Sequence, residues 1–237
     1  MLQERLADIA ILLFKVLYEE HDVKFGLFGD YAVSVVVKSE RARGADSINC
    51  IVSTSKDKLL EFLDGQNGFI TLPQAREDHA IFLWTVLANR SNPIMVEMFC
   101  ETLFEDDIGG SNIAVTTHII YGKKYERGSS FFLDSFFLFK DKVRLVATRG
   151  RFHDSSDLRY LEENYNHKLK TLHSHLDLGY VGHAIKKFVE LDRLFERIGI
   201  NSEAALLASE NLDLERVNPP GPFDVQLQLS KTHWQLP

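Results

Sequence analysis

The sequence predicts an α+β fold, with a mixed sheet flanked by helices in its first half and a helical C-terminal half. Three observations predict it. Six short runs rich in aromatic and β-branched residues, 23–28, 48–53, 69–72, 81–87, 94–100 and 113–120, are separated by polar or glycine-containing connections, as strands are. From 130 to 210 the apolar residues recur at three- and four-residue intervals, for example in "AIKKFVELDRLFERIGI", which is the period of helices packed on one face. A chain of 237 residues with 45% hydrophobic composition supplies a sizeable core for one large domain or two small ones. The expected divisions are 1–125 for the sheet domain, 126–215 for the helical domain and 216–237 for an extended tail.

Taken in order, residues 3–20 read as an amphipathic helix packed on the sheet. The apolar run 9–14 inside it is too short for a membrane span, and it lacks the basic head of a signal peptide. Strand 23–28 ends at Gly29, and a helix over 31–39 follows, with Asp30 as its expected cap. After the polar connection 41–45, the strand that begins near Ile48 places Ser47 and Asn49 on one face, because side chains alternate with period two. A helix over 57–64 and the remaining strands complete the sheet domain. In the helical half, Lys140, Lys142, Arg144, Arg149 and Arg151 form a basic edge expected to be solvated, with "FFLDSFFLFK" as the buried side. Pro219, Pro220 and Pro222 around Gly221 exclude regular helix from the tail.

Composition narrows the function classes. A formal charge of −7 argues against general nucleic-acid binding, which needs a basic surface. Cys50 and Cys100 fall in expected core strands, so they read as reduced thiols in a cytoplasmic protein with no membrane association. His173, His175 and His183 do not converge as metal ligands, since residues two apart do not share a helix face. His153, Asp154 and Asp157 form a polar cluster at an expected helix start, where the carboxylates favour the helix dipole.

Four motifs then stand in a familiar order: Gly29-Asp30 at a strand-to-helix turn; Arg43-Gly44-Ala45-Asp46-Ser47-Ile48-Asn49 leading into the next strand; Glu97 within "PIMVEMFC"; and "KVRLVATRGRFHDSSDLRYL" at 142–161. Over roughly its first two thirds the chain resembles the nucleotidyltransferase superfamily, of DNA polymerase β-like fold, in its small antibiotic-modifying and abortive-infection-type members. The resemblance implies that Ser47, Asn49 and Glu97 occupy the three metal-ligand positions. It also implies that Gly29, Asp30, Arg43, Lys142, Arg149, His153, Asp154 and Asp157 face the substrate.

Two of the three ligand positions depart from the family pattern. Two-metal transfer relies on concentrated carboxylate charge, whereas Ser47 and Asn49 are neutral. A register shift that substitutes Asp46 pairs it with Ile48, which cannot bind a metal. Asp30 also sets a carboxylate where backbone N–H groups would cradle phosphate. The expectation is therefore a degenerate active site, without metal or cofactor, in a pseudoenzyme that binds or regulates an unknown small molecule or protein, in an oligomeric state the sequence leaves open. One alternative is a repurposed enzyme using Asp30, Asn49, Glu97 and His153 on a small molecule. Another is a residual magnesium-dependent nucleotidyltransferase.

Overall fold

The structure is a computed structural model that describes residues 2–38, 45–73, 75–86, 89–100 and 114–214. Arg43 and the expected tail at 216–237 lie outside the described residues. The chain divides into two compact units, Met1–Asp134 and a second that begins at Ser135.

The first unit opens with helix α1 (Leu2–Leu13), whose Leu6, Ile9, Ala10 and Leu13 recur at helical spacing and are fully buried. The expected single helix over 3–20 changes pitch on the way: Phe14–Glu20 is π-helical and the chain turns out at Asp22, φ 52°. Asp8 explains how α1 is fixed. It is 1% exposed, and its Oδ1 accepts from the backbone N–H groups of Lys124 and Tyr125 at 2.8 and 3.0 Å, which ties the helix to a hairpin more than a hundred residues away.

Strand β1 (Phe25–Phe28), helix α2 (Gly29–Val36), strand β2 (Ser47–Val52), helix α3 (Lys56–Leu63) and strands β3 (Phe69–Leu72), β4 (His79–Val86), β5 (Asn89–Cys100), β6 (Val115–Tyr121) and β7 (Arg127–Leu133) follow. Among the described residues the seven strands form one mixed sheet in the order β3-β4-β5-β2-β1-β7-β6. Strand β2 lies between antiparallel β1 and parallel β5, and β1 is parallel to β7. One sheet face is core: Ile48, Cys50, Val52, Phe82, Trp84, Val96, Met98 and Cys100 are at most 1% exposed. Both cysteines are free thiols on this face.

The expected boundary at 125 falls before the sheet is finished. Residues 127–133 form β7, which pairs with both β1 and β6, so the first unit extends to Asp134. "RGSSFFL" carries its apolar residues only at one end, which hides a strand whose partners are distant in sequence.

The second unit is helical throughout its described residues: α4 (Ser135–Arg149), α5 (Phe152–Leu172), α6 (Leu178–Lys187), α7 (Asp192–Arg197) and α8 (Ser202–Glu210). Asp177 caps α6 through Gly179 and Tyr180, and Asn201 caps α8 through Ala204. Helices α6 and α8 meet backbone to backbone where Gly182 leaves no room for a Cβ against the Ala205 carbonyl. The expected solvated basic edge is corrected here, because Lys140, Lys142 and Arg144 are 8%, 0% and 2% exposed. Charge alone suggested solvent, but α4 is buried along nearly its whole circumference, and Lys142 is held inside against Asp154 and Asp157. Burial pulls the Lys140 ammonium down to about 8, against the opposing pull of Asp177. Among the described residues no helix is long and apolar enough to cross a membrane.

Candidate functional site

In the first unit, a strand-to-helix turn meets the end of a parallel strand pair. The fully buried β1 runs directly into Gly29, whose φ of 77° is a left-handed conformation that glycine adopts without strain. A Cβ on Gly29 would also lie 2.8 Å from Asn49 Nδ2, so the Asn49 amide packs directly on the turn. Asp30 is exposed in the first turn of α2, not at its cap; Phe28 is the capping residue and makes no side-chain cap hydrogen bond. The requirement for a left-handed turn therefore displaces the expected Asp30 cap by two positions.

Asn49 is in register with Phe28 on one side and with Glu97 on the other, and Ser47 is in register with Met95. Residues opposite each other project to the same sheet face, so Ser47, Asn49 and Glu97 share one face beside the turn at Gly29. All three are half-buried. Burial raises the Glu97 carboxyl above its ordinary value. The donors at these positions are one hydroxyl, one amide and one carboxylate, a set that does not fit two divalent cations.

The raised Glu97 carboxyl has a measurable consequence for stability. The unfolded chain ionises this group first, so folding is favoured at low pH, and stability falls as pH rises through the ordinary glutamate range up to the raised value. Glu97→Gln is expected to stabilise the protein at pH 7, and the gain should vanish on acidification below the unfolded value. Thermal melts at both pH values check this; a variant less stable at pH 7 refutes the sign.

The second unit holds its own polar cluster. Helix α4 carries Lys142, the chain turns at Gly150 (φ 62°), and α5 begins at Phe152 with Asp154 and Asp157 on its first turns. Lys142 Nζ lies 3.2 Å from Asp154 Oδ1 and 2.7 Å from Asp157 Oδ2. Arg149 Nη2 and His153 Nε2 stand 3.3 and 3.7 Å from the same Asp154 oxygen. Asp154 is fully buried, and its Oδ2 is a buried acceptor with no hydrogen-bond partner among the described residues. The structure thus brings Lys142, Arg149, His153, Asp154 and Asp157 together as one network centred on Asp154. His173 and His183 are instead engaged by backbone carbonyls, those of Lys170 and Leu212, at 2.7 and 2.8 Å.

Sequence reasoning passed over one residue, His79. It is 2% exposed at the start of β4, in register with Phe99 and stacked on its ring, with centroids 4.8 Å apart. Both ring nitrogens are buried with no hydrogen-bond partner among the described residues, and burial with nearby Arg76 drops the imidazole to about 4. The available signal was a histidine opening an apolar strand, "HAIFLWTV", where alternation gives it the sheet face of Ile81 and Leu83.

A crystal structure of an antigenic nucleotidyltransferase-like protein from Paracoccidioides brasiliensis is similar to this chain, with a TM-score of 0.52 and 8% identity over 83% of this chain and 93% of that one. That likeness supports the α+β nucleotidyltransferase-like fold. No protein-family model and no curated protein matches the chain.

Proposed function

We propose that this chain is a nucleotidyltransferase-fold pseudoenzyme, a binding or regulatory protein whose cleft has lost two-metal nucleotidyl transfer. The observation that carries the reading is the Asn49 amide, packed on the turn at Gly29 and in register with Glu97, where the family's chemistry needs a carboxylate. With Ser47 also neutral, the three positions hold a single formal charge. Such a set cannot gather two magnesium ions on a triphosphate or lower the pKa of an attacking hydroxyl through them. Asp30 in the first turn of α2 adds a carboxylate beside the N–H groups that would otherwise receive phosphate.

Calorimetry tests this directly. Magnesium–ATP and the other magnesium–nucleoside triphosphates are expected to give no appreciable signal at physiological concentrations. Micromolar, magnesium-dependent binding would overturn the reading in favour of a residual nucleotidyltransferase. A second reading, a repurposed enzyme acting on a small molecule without two metals, draws on the raised Glu97 carboxyl, since a perturbed half-buried acid suits proton transfer.

A further inference from the structure

The sheet face that carries Asn49 and Glu97 is unusual in what surrounds them. Register pairs extend it across four strands: Asn49, Glu97, Ile81 and Leu72 form one row, and Ser47, Met95, Leu83 and Ile70 form the next. On the opposite face of the same strands Phe69, Phe82, Trp84 and Val96 are at most 1% exposed. On this face Ile70 and Met95 are 53% and 37% exposed, while Leu72, Ile81 and Leu83 are half-buried. A sheet with one face in water ordinarily alternates apolar with polar residues. Here Ile70, Leu72, Ile81 and Leu83 place apolar side chains on this face as well, and an exposed apolar surface beside a few polar groups is the usual make-up of a binding site.

A third row closes one side. Ile51, Phe99 and His79 are in register with one another and at most 4% exposed, and Phe28 packs on Phe99 with ring centroids 5.5 Å apart. His79 is diagonal to Glu97 across the β4–β5 ladder. Its ring, buried and stacked on Phe99, stays neutral at physiological pH, so this side is closed by an uncharged wall. Glu97 is the one carboxylate among these positions, and among the described residues no cation pairs with it.

We propose that this face binds small organic cations with an apolar body, the ammonium or guanidinium seated on the Glu97 carboxylate and the body lying over Ile81, Leu83, Met95 and Ile70. This rests on the reading of the cleft as emptied of metal chemistry. An organic cation needs a single counter-charge and an apolar surface, both of which are present. Magnesium needs several charged oxygens, and a phosphate would be repelled by Glu97.

The test uses the full chain, 4-phenylbutylamine, and its uncharged analogue 4-phenyl-1-butanol, followed by chemical-shift titration of the labelled protein. The amine should bind saturably in the millimolar range and at least about tenfold more tightly than the alcohol, as a charge-assisted hydrogen bond allows. Glu97→Gln should abolish that preference, and Met95→Ser should weaken both ligands. Equal affinity for amine and alcohol, absence of saturable binding, or amine binding untouched by Glu97→Gln each overturns the proposal. Shifts at this face that follow protein concentration alone would make a second copy the occupant and overturn it as well. The comparison of amine with alcohol needs no variant, so it stands even if a substitution disturbs folding. A chain that binds neither ligand refutes this inference and leaves the pseudoenzyme reading intact; magnesium–ATP binding refutes that reading by itself.

Discussion

Ser47→Asp combined with Asn49→Asp is expected to melt lower than the parent in chelator and to recover when magnesium or manganese is added. The parallel register places residue 49 beside Glu97 and residue 47 beside Met95 on the same face, so two new carboxylates would join an acid that burial already disfavours. Without metal, three like charges on one half-buried face repel one another and lower the stability of the folded chain. A divalent cation reverses the sign, since it binds the folded state through ligands that the unfolded chain does not bring together, and stability then rises with metal concentration. At a hundredfold excess over the dissociation constant, such linkage is worth about 2.7 kcal/mol. Nucleotide affinity should stay poor in the double variant until Asp30→Gly or Asp30→Ser is added, because Asp30 still sits in the first turn of α2. Differential scanning calorimetry with and without metal decides the matter. No metal-dependent stabilisation would mean that residues 47 and 49 do not occupy ligand positions, and the pseudoenzyme reading would lose its basis.

How much of this was legible in the sequence depended on whether a signal was local. The turn at Gly29 and the common face of Ser47 and Asn49 could be read because each follows from residues within a few positions: an apolar run ending in glycine, and period-two alternation. Most strands were legible for the same reason, although β4 begins at His79 and β5 at Asn89, earlier than their apolar runs suggest. Strand β7 was missed because its only warrant is pairing with β1 and β6, and Phe131 to Leu133 resemble the start of the apolar helix that follows. The buried cations of α4 were missed because sequence shows the charge of Lys142 but not Asp154 and Asp157 waiting on the next helix. His79 escaped because a single histidine in an apolar run is ordinarily a core residue with a hydrogen-bond partner; only the fold shows that both its nitrogens lack one among the described residues.

Lys142→Met is expected to be among the most damaging single substitutions in the helical unit, costing about 3–5 kcal/mol. The Lys142 side chain has no exposed surface, and its ammonium lies 2.7 Å from Asp157 and 3.2 Å from Asp154, whose own side chain is 0% exposed. Methionine fills a similar volume, so the loss should reflect charge rather than a cavity. What remains is a buried carboxylate with one oxygen that has no hydrogen-bond partner among the described residues, facing a second carboxylate, with Arg149 at 3.3 Å and 34% exposed to solvent. A partly solvated guanidinium compensates a buried acid far less than an enclosed ammonium does. Against a typical total stability of about 5–15 kcal/mol, this should lower the melting temperature by on the order of 10 °C. The ion-pair account makes a sharper demand on the double variant. Lys142→Met with Asp154→Asn removes the stranded charge, so it should recover a large part of the loss and show a coupling of more than about 1 kcal/mol. Strictly additive losses would mean that Lys142 stabilises the unit by packing its methylenes, and that the network around Asp154 is not an electrostatic unit.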